Sequence, residues 1–289
     1  MQAYFEGLYF KQQNERESVA LIPAIHADGR GNKSASLQII TNEAAYRIGY
    51  DGMEVVMDRD QNQIAVGKSF FSPQGIVLDA TGDGIRASGK LLFEGITPLA
   101  YDIMGPFVFV PGMECRHKVV SMRHCVEGEL CINGKRYLFR DAMGYLEGDR
   151  GHSFPSRYLW TQCLSRDPSC SVMLSAASIP VAGVSFTGTI GVVSVGGKEH
   201  RFATYLGARV LRREGGICVR QGDCELTAEL LEERGQALQA PVGGEMTRVI
   251  HESISCVVRY RLLRRGKVLL DFTSQQASFE SEGWTTPGT

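Results

Sequence analysis

Ser36-Leu37-Gln38-Ile39-Ile40-Thr41 and, much later, Thr189-Ile190-Gly191-Val192-Val193-Ser194 are two versions of one strand. Both are short, rich in β-branched residues and free of the 3.6-residue spacing of an amphipathic helix. Working outward, Ser18-Val19-Ala20-Leu21 precedes the first as Ser171-Val172-Met173-Leu174 precedes the second. Tyr46-Arg47-Ile48 follows the first as His200-Arg201-Phe202 follows the second. Further out, Glu6-Gly7-Leu8-Tyr9-Phe10 lines up with Tyr158-Leu159-Trp160-Thr161-Gln162 as an aromatic-rich opening strand. Towards the ends, Gly134-Lys135 and then Tyr145-Leu146-Glu147 answer Gly266-Lys267 and then Ser278-Phe279-Glu280. Conserved order, at an offset of about 150 residues in the leading strands, is the mark of an internal repeat. The series predicts two tandem antiparallel β units, 1–148 and 149–289, from a duplication.

The rest of the chain agrees. Ser36–Thr41, Gly75–Ala80, Ser88–Phe93, Lys118–Met122 and Val257–Leu263 read as strands. Turn pairs recur between such segments, including Asp28-Gly29, Asp51-Gly52, Asn133-Gly134 and Gly196-Gly197. The best helix candidate, Leu226–Arg234, is short and reads equally as a strand and turn. The expected class is all-β. Closing each unit on itself would remove exposed strand edges, which favours barrels over open sheets.

Composition limits the function. The chain has 289 residues, a length at which one core usually becomes two. Its 31 basic and 32 acidic residues are spread along the sequence, without the basic excess or stripe of a nucleic-acid binder. No secretory pattern opens the chain, and no run approaches the roughly 18 apolar residues that span a bilayer. A cytoplasmic location is therefore expected, with contact at a membrane surface left open. The eight cysteines lack Cys-x-x-Cys spacing, and several sit in apolar stretches, so they read as reduced structural thiols rather than metal ligands. There is no Gly-x-Ser-x-Gly elbow, no phosphate-binding loop and no His-Glu-x-x-His. Gly82-x-Gly84 lacks the following helix that a dinucleotide site needs.

Three stretches carry a family resemblance. Phe5-Glu6-Gly7-Leu8-Tyr9-Phe10-Lys11 forms the opening. Glu147-Gly148-Asp149-Arg150-Gly151-His152-Ser153-Phe154-Pro155 runs into Ser156-Arg157-Tyr158-Leu159-Trp160-Thr161-Gln162, with an acidic residue, Gly, Phe-Pro and an aromatic-x-Trp-x-Gln strand. Leu238-Gln239-Ala240-Pro241 and Leu269-Leu270-Asp271-Phe272-Thr273-Ser274 complete the set. Together they resemble the tocopherol cyclase-like family, with Leu8, Gly148 and Arg150 standing where that family commonly has Trp, Lys and Trp.

The resemblance implies two lipocalin-like β-barrels, an apolar ligand cavity and an isomerase that closes a prenylated quinol into a chromanol ring. Such a reaction adds a phenolic hydroxyl across a trisubstituted alkene. It needs a proton donor in an apolar pocket, aromatic faces for the cationic carbon and a polar group for the quinol head, with no redox cofactor and no metal. Asp149 and Glu6 are the candidate acids. Phe10, Phe154, Tyr158, Trp160 and Gln162 are the candidate substrate contacts, the last three sharing one face of a strand. Bland readings stand beside these: Asp149 as a turn residue, Glu6 paired to a cation, the aromatics as core and His152 as a solvated loop histidine. The expected partner is a hydrophobic small molecule, a prenylated quinol, isoprenoid or lipid. The rival function is a non-catalytic carrier of such a molecule.

Overall fold

Alternation of apolar and polar residues, broken by turn residues, leaves the backbone one way to satisfy its hydrogen bonds, which is to pair strands. The computed structural model describes residues 3–284 except 111, 182–183, 235 and 243–244; the side chains of 181, 184, 212, 236–242 and 245–252 also lie outside the described set. Among the described residues the only helical turns are 3-10 turns at Gly52–Glu54, Gly105–Phe109 and Thr204–Leu206. The protein is all-β.

The first sheet comprises β1 (Tyr4–Gln13), β2 (Ser18–Ala27), β3 (Lys33–Thr41), β4 (Ala45–Asp51), β5 (Val55–Asp58), β6 (Gln63–Val66), β7 (Ser69–Ser72), β8 (Gly75–Gly82), β9 (Ile85–Glu94), β10 (Cys115–Ile132) and β11 (Lys135–Gly151). The second comprises β12 (Tyr158–Arg166), β13 (Ser169–Val181), β14 (Val184–Val195), β15 (Lys198–Ala203), β16 (Arg209–Arg213), β17 (Gly216–Gln221), β18 (Cys224–Glu232), β19 (Gln236–Val242), β20 (Glu245–Arg264) and β21 (Lys267–Glu282). The candidate helix at Leu226–Arg234 is thus mostly strand β18.

Strand order exposes the duplication. The first sheet runs β4-β3-β2-β1-β11-β10-β9-β8-β7-β6-β5, and the second β15-β14-β13-β12-β21-β20-β18-β17-β16, with β19 on β20. In each, four meandering strands lead and the last strand returns to pair with the first, antiparallel. The repeats read from sequence fall on equivalent strands: β1 with β12, β2 with β13, β3 with β14, β4 with β15 and β11 with β21.

The register of the first match needs correction. Lining Glu6 up with Tyr158 puts Leu8 on Trp160. The core of the first sheet, however, takes Leu8 and Phe10, and that of the second takes Leu159 and Cys163. Tyr9 lies opposite Glu147 as Trp160 lies opposite Glu280, so Tyr9 and Trp160 are the equivalent pair. A slip of one residue moves a side chain to the other face of a sheet.

The chain forms two compact units: 1–102 with 114–154 and 236–249, and 103–113 with 155–235 and 250–289. The expected division at 148/149 falls within β11. One face of the first sheet gathers Leu8, Phe10, Leu21, Leu37, Phe71, Leu91, Phe139 and Leu146 around a single core. The second gathers Leu159, Val172, Val193, Phe202, Val219, Tyr260 and Phe279. Burial of each such side chain stabilises by roughly 1.5–3 kcal/mol. All eight cysteines are free thiols. Among the described residues, no helix is long and apolar enough to cross a membrane.

Candidate functional site

Asp149 does not stand in a turn. Gly148-Asp149-Arg150-Gly151 continues β11, paired with β1 on one side and β10 on the other. Glycine makes this possible by letting strands close in: a Cβ on Gly148 would meet Leu8 Cδ2 at 2.8 Å, and one on Gly151 the Glu114 carbonyl oxygen at 2.0 Å. The acid expected at the start of the second half therefore stands in the last strand of the first sheet.

Leu146 and Ala142 of β11 face the core, so Tyr145, Glu147 and Asp149 share the opposite face. In β10, His117 lies opposite Asp149 and Cys115 opposite Gly151. The side chains meet. His117 Nδ1 is 3.0 Å from Asp149 Oδ1, and its Nε2 is 3.1 Å from Glu147 Oε2, close enough for an ion pair but not aligned as a hydrogen bond. The Cys115 thiol donates to the same Asp149 oxygen at 3.3 Å, and the Tyr145 hydroxyl donates to Glu147 Oε2 at 2.5 Å. One imidazole is bracketed by two carboxylates.

Electrostatics follow from that bracket. Burial alone would lower the His117 pKa, but the charges of Glu147 and Asp149 and the hydrogen bond to Asp149 overcome it and hold the pKa well above the ordinary value. The same carboxylates, added to burial, push the Cys115 thiol and Tyr145 phenol well up, so both stay neutral donors. Side-chain exposure is graded: 5% for Glu147, 10% for His117 and 26% for Asp149. Asp149 is the open end. Donor atoms of His117, Glu147 and Asp149 all lie within 4.8 Å of one another, so these are the residues that could hold a cation.

The other sequence candidates lie elsewhere. Glu6 points to the core side of β1, with Leu8 and Phe10, where Arg59 Nε binds it at 2.6 Å and the Tyr4 hydroxyl donates to it. Asp149 and Glu6 thus sit on opposite faces. Phe10 is inside the first core against Phe71 and Phe93, and Phe154 packs edge-on against Phe5 with centroids 5.3 Å apart. Tyr158, Trp160 and Gln162 belong to the second unit, on the face of β12 opposite Leu159 and Cys163. There the Tyr158 hydroxyl donates to Glu280, which lies opposite Trp160. Gln162 is fully buried, and neither atom of its amide has a partner among the described residues.

Fold and site together define the class: a duplicated lipocalin-like β protein carrying a charge-paired imidazole on the face of one sheet opposite its core. The model of the tocopherol cyclase-like family matches residues 104–208, the stretch that holds His117, Glu147, Asp149, Tyr158, Trp160 and Gln162. The resemblance carried by the central motif is borne out: over this segment the chain is similar to the tocopherol cyclase-like family. Two solved structures share the fold from end to end. A protein assigned as an AttH from Nitrosomonas europaea is 11% identical, with a TM-score of 0.55 over 99% of this chain and 93% of its own. Kievitone hydratase from Nectria haematococca is 9% identical, with a TM-score of 0.56 over 98% of this chain and 90% of its own. No curated protein matches.

Proposed function

We propose that this protein is a cyclase-type isomerase that delivers a proton from the Asp149–His117–Glu147 group to a hydrophobic, alkene-bearing substrate such as a prenylated quinol. The observation that supports it most strongly is the bracketed imidazole with a partly exposed carboxylate at its open end. Glu147, buried and fixed by Tyr145, keeps the imidazole charged and in place. Asp149 Oδ1, 3.0 Å from His117 Nδ1, is the atom through which the proton leaves. The proton adds to the less substituted alkene carbon, and the phenol oxygen bonds to the tertiary carbon. The phenolic proton then returns to the carboxylate, so atoms and charge balance and the group is reset.

Within the second unit, Tyr158, Trp160 and Gln162 are proposed as contacts for a hydrophobic ligand. An aromatic face can stabilise a cation, and an unpaired buried amide calls for a partner. Glu6 is a weaker acid candidate, because Arg59 and Tyr4 already occupy its carboxylate. A chromatographic assay of the purified protein with prenylated quinols tests the reading. Turnover should fall by about 10²-fold or more in Asp149→Asn and survive in Glu6→Gln, within the usual range for loss of a general acid. Equal loss in both, or none in Asp149→Asn, contradicts the assignment. Quinol retained through gel filtration without turnover would transfer the site to a carrier.

A further inference from the structure

The opposite, core-facing side of the same strands holds a second polar group that the acid site does not use. Gln12, Gly144 and His124 stand in one row across β1, β11 and β10. All three face inward: Gln12 lies opposite Val19 of the core, and Gly144 alternates with the core residues Ala142 and Leu146. Gly144 leaves the space that His124 fills, since a Cβ there would come within 2.1 Å of His124 Nε2. β10 is irregular just before this point, its register shifting between Ser121 and His124, and such bulges re-aim a side chain. Phe93 covers the imidazole with centroids 4.5 Å apart.

Hydrogen bonding fixes the tautomer. Ser121 Oγ donates to the Arg123 carbonyl at 2.9 Å, and it accepts from the Thr97 N–H at 3.1 Å. Its single proton being used, its 3.2 Å contact with His124 Nδ1 requires that nitrogen to carry the hydrogen. Nε2 is then a bare acceptor. It has no partner among the described residues, and neither has either atom of the Gln12 amide. His124 is 2% exposed and Gln12 0%. Gln12 and His124 flank Gly144 on its two neighbouring strands, each about 5 Å from it, and Gly144 puts no side chain between them.

We propose that Gln12 and His124 form an internal binding site for one hydroxyl group, supplied by water or by an alcohol or phenol. The hydroxyl hydrogen goes to His124 Nε2, and its oxygen accepts from the Gln12 amide N–H. A hydroxyl is the smallest group that donates and accepts at once. The site stands apart from the acid group, and either can fail alone.

NMR of the ¹⁵N-labelled full-length protein tests this, with phenol as the probe. The expected spectrum shows His124 as the Nδ1–H tautomer with Nε2 hydrogen-bonded. A phenol-dependent shift of Nε2, weakened about tenfold in Gln12→Leu, identifies an organic hydroxyl as occupant. No response to phenol, with cross-relaxation from a long-lived water to the Val19 and Ala142 methyls, identifies water. An Nε2–H tautomer, or the absence of both signals, overturns the proposal. The wild-type spectra decide the matter even where Gln12→Leu fails to fold.

Discussion

The acid group depends on how each side chain is held. Tyr145 is buried and donates to Glu147, so Tyr145→Phe leaves a buried carboxylate short of a bond. That substitution should cost about 1–3 kcal/mol in urea unfolding, and no loss would show that Glu147 finds another donor. Of this group only Asp149 was legible in the sequence, as an acidic residue before Gly and Phe-Pro. His117, Glu147, Tyr145 and Cys115 were not. Their period-two spacing, Cys115-x-His117 and Tyr145-x-Glu147-x-Asp149, was visible, but it says only that each set shares a face. What joins the sets is the register of β10 on β11, and three register shifts along that pair hide it from any count of residues. The repeat pairs Glu147 with Glu280 but gives neither a chemical role.

At the level of the strand, glycines decide where the group sits. A Cβ on Gly151 would meet backbone, the Glu114 carbonyl, at 2.0 Å, whereas one on Gly148 would meet the yielding end of the Leu8 side chain at 2.8 Å and backbone, the Gly7 carbonyl, only at 3.0 Å. Gly151→Ala should therefore destabilise by about 1–3 kcal/mol, and Gly148→Ala by less, both read as shifts in unfolding midpoint. The reverse order would mean that β11 is not gripped between β1 and β10 as described. The strands themselves were legible because alternation and turn residues act locally. The Gly148–Gly151 run was not, because two glycines flanking Asp and Arg also write a good turn. Tight packing against both neighbours outweighed the local preference.

On the scale of the whole molecule, His26 and His124, both buried, and the nearly buried His117 set opposing pH dependences. His26 and His124 are held neutral by burial, with pKa values lowered to about 4 and about 3. The unfolded chain takes up protons near pH 6.5 while these sites do not, so stability is complete above that pH. It falls as pH drops towards 4 and 3, by on the order of 1.4 kcal/mol per pH unit for each histidine. His117 behaves oppositely: its pKa is raised, so its contribution is whole below pH 6.5 and is lost as pH rises through the folded value. Urea midpoints measured across pH should fall towards acid, and His124→Asn should flatten that limb. An unchanged slope would mean His124 titrates normally. The duplicated architecture was legible because both copies keep the same strand order; the faces of its opening strands were not, because a repeat slipped by one residue still looks aligned.

The most direct test is turnover in D₂O. Protein and a prenylated quinol are mixed in D₂O, and the product is analysed by mass spectrometry. A proton delivered from the exchangeable His117–Asp149 group predicts one carbon-bound deuterium in each cyclised product molecule, with product formation falling about 10²-fold or more in Asp149→Asn. Cyclised product without carbon-bound deuterium, or with undiminished yield in Asp149→Asn, would contradict proton delivery from this site.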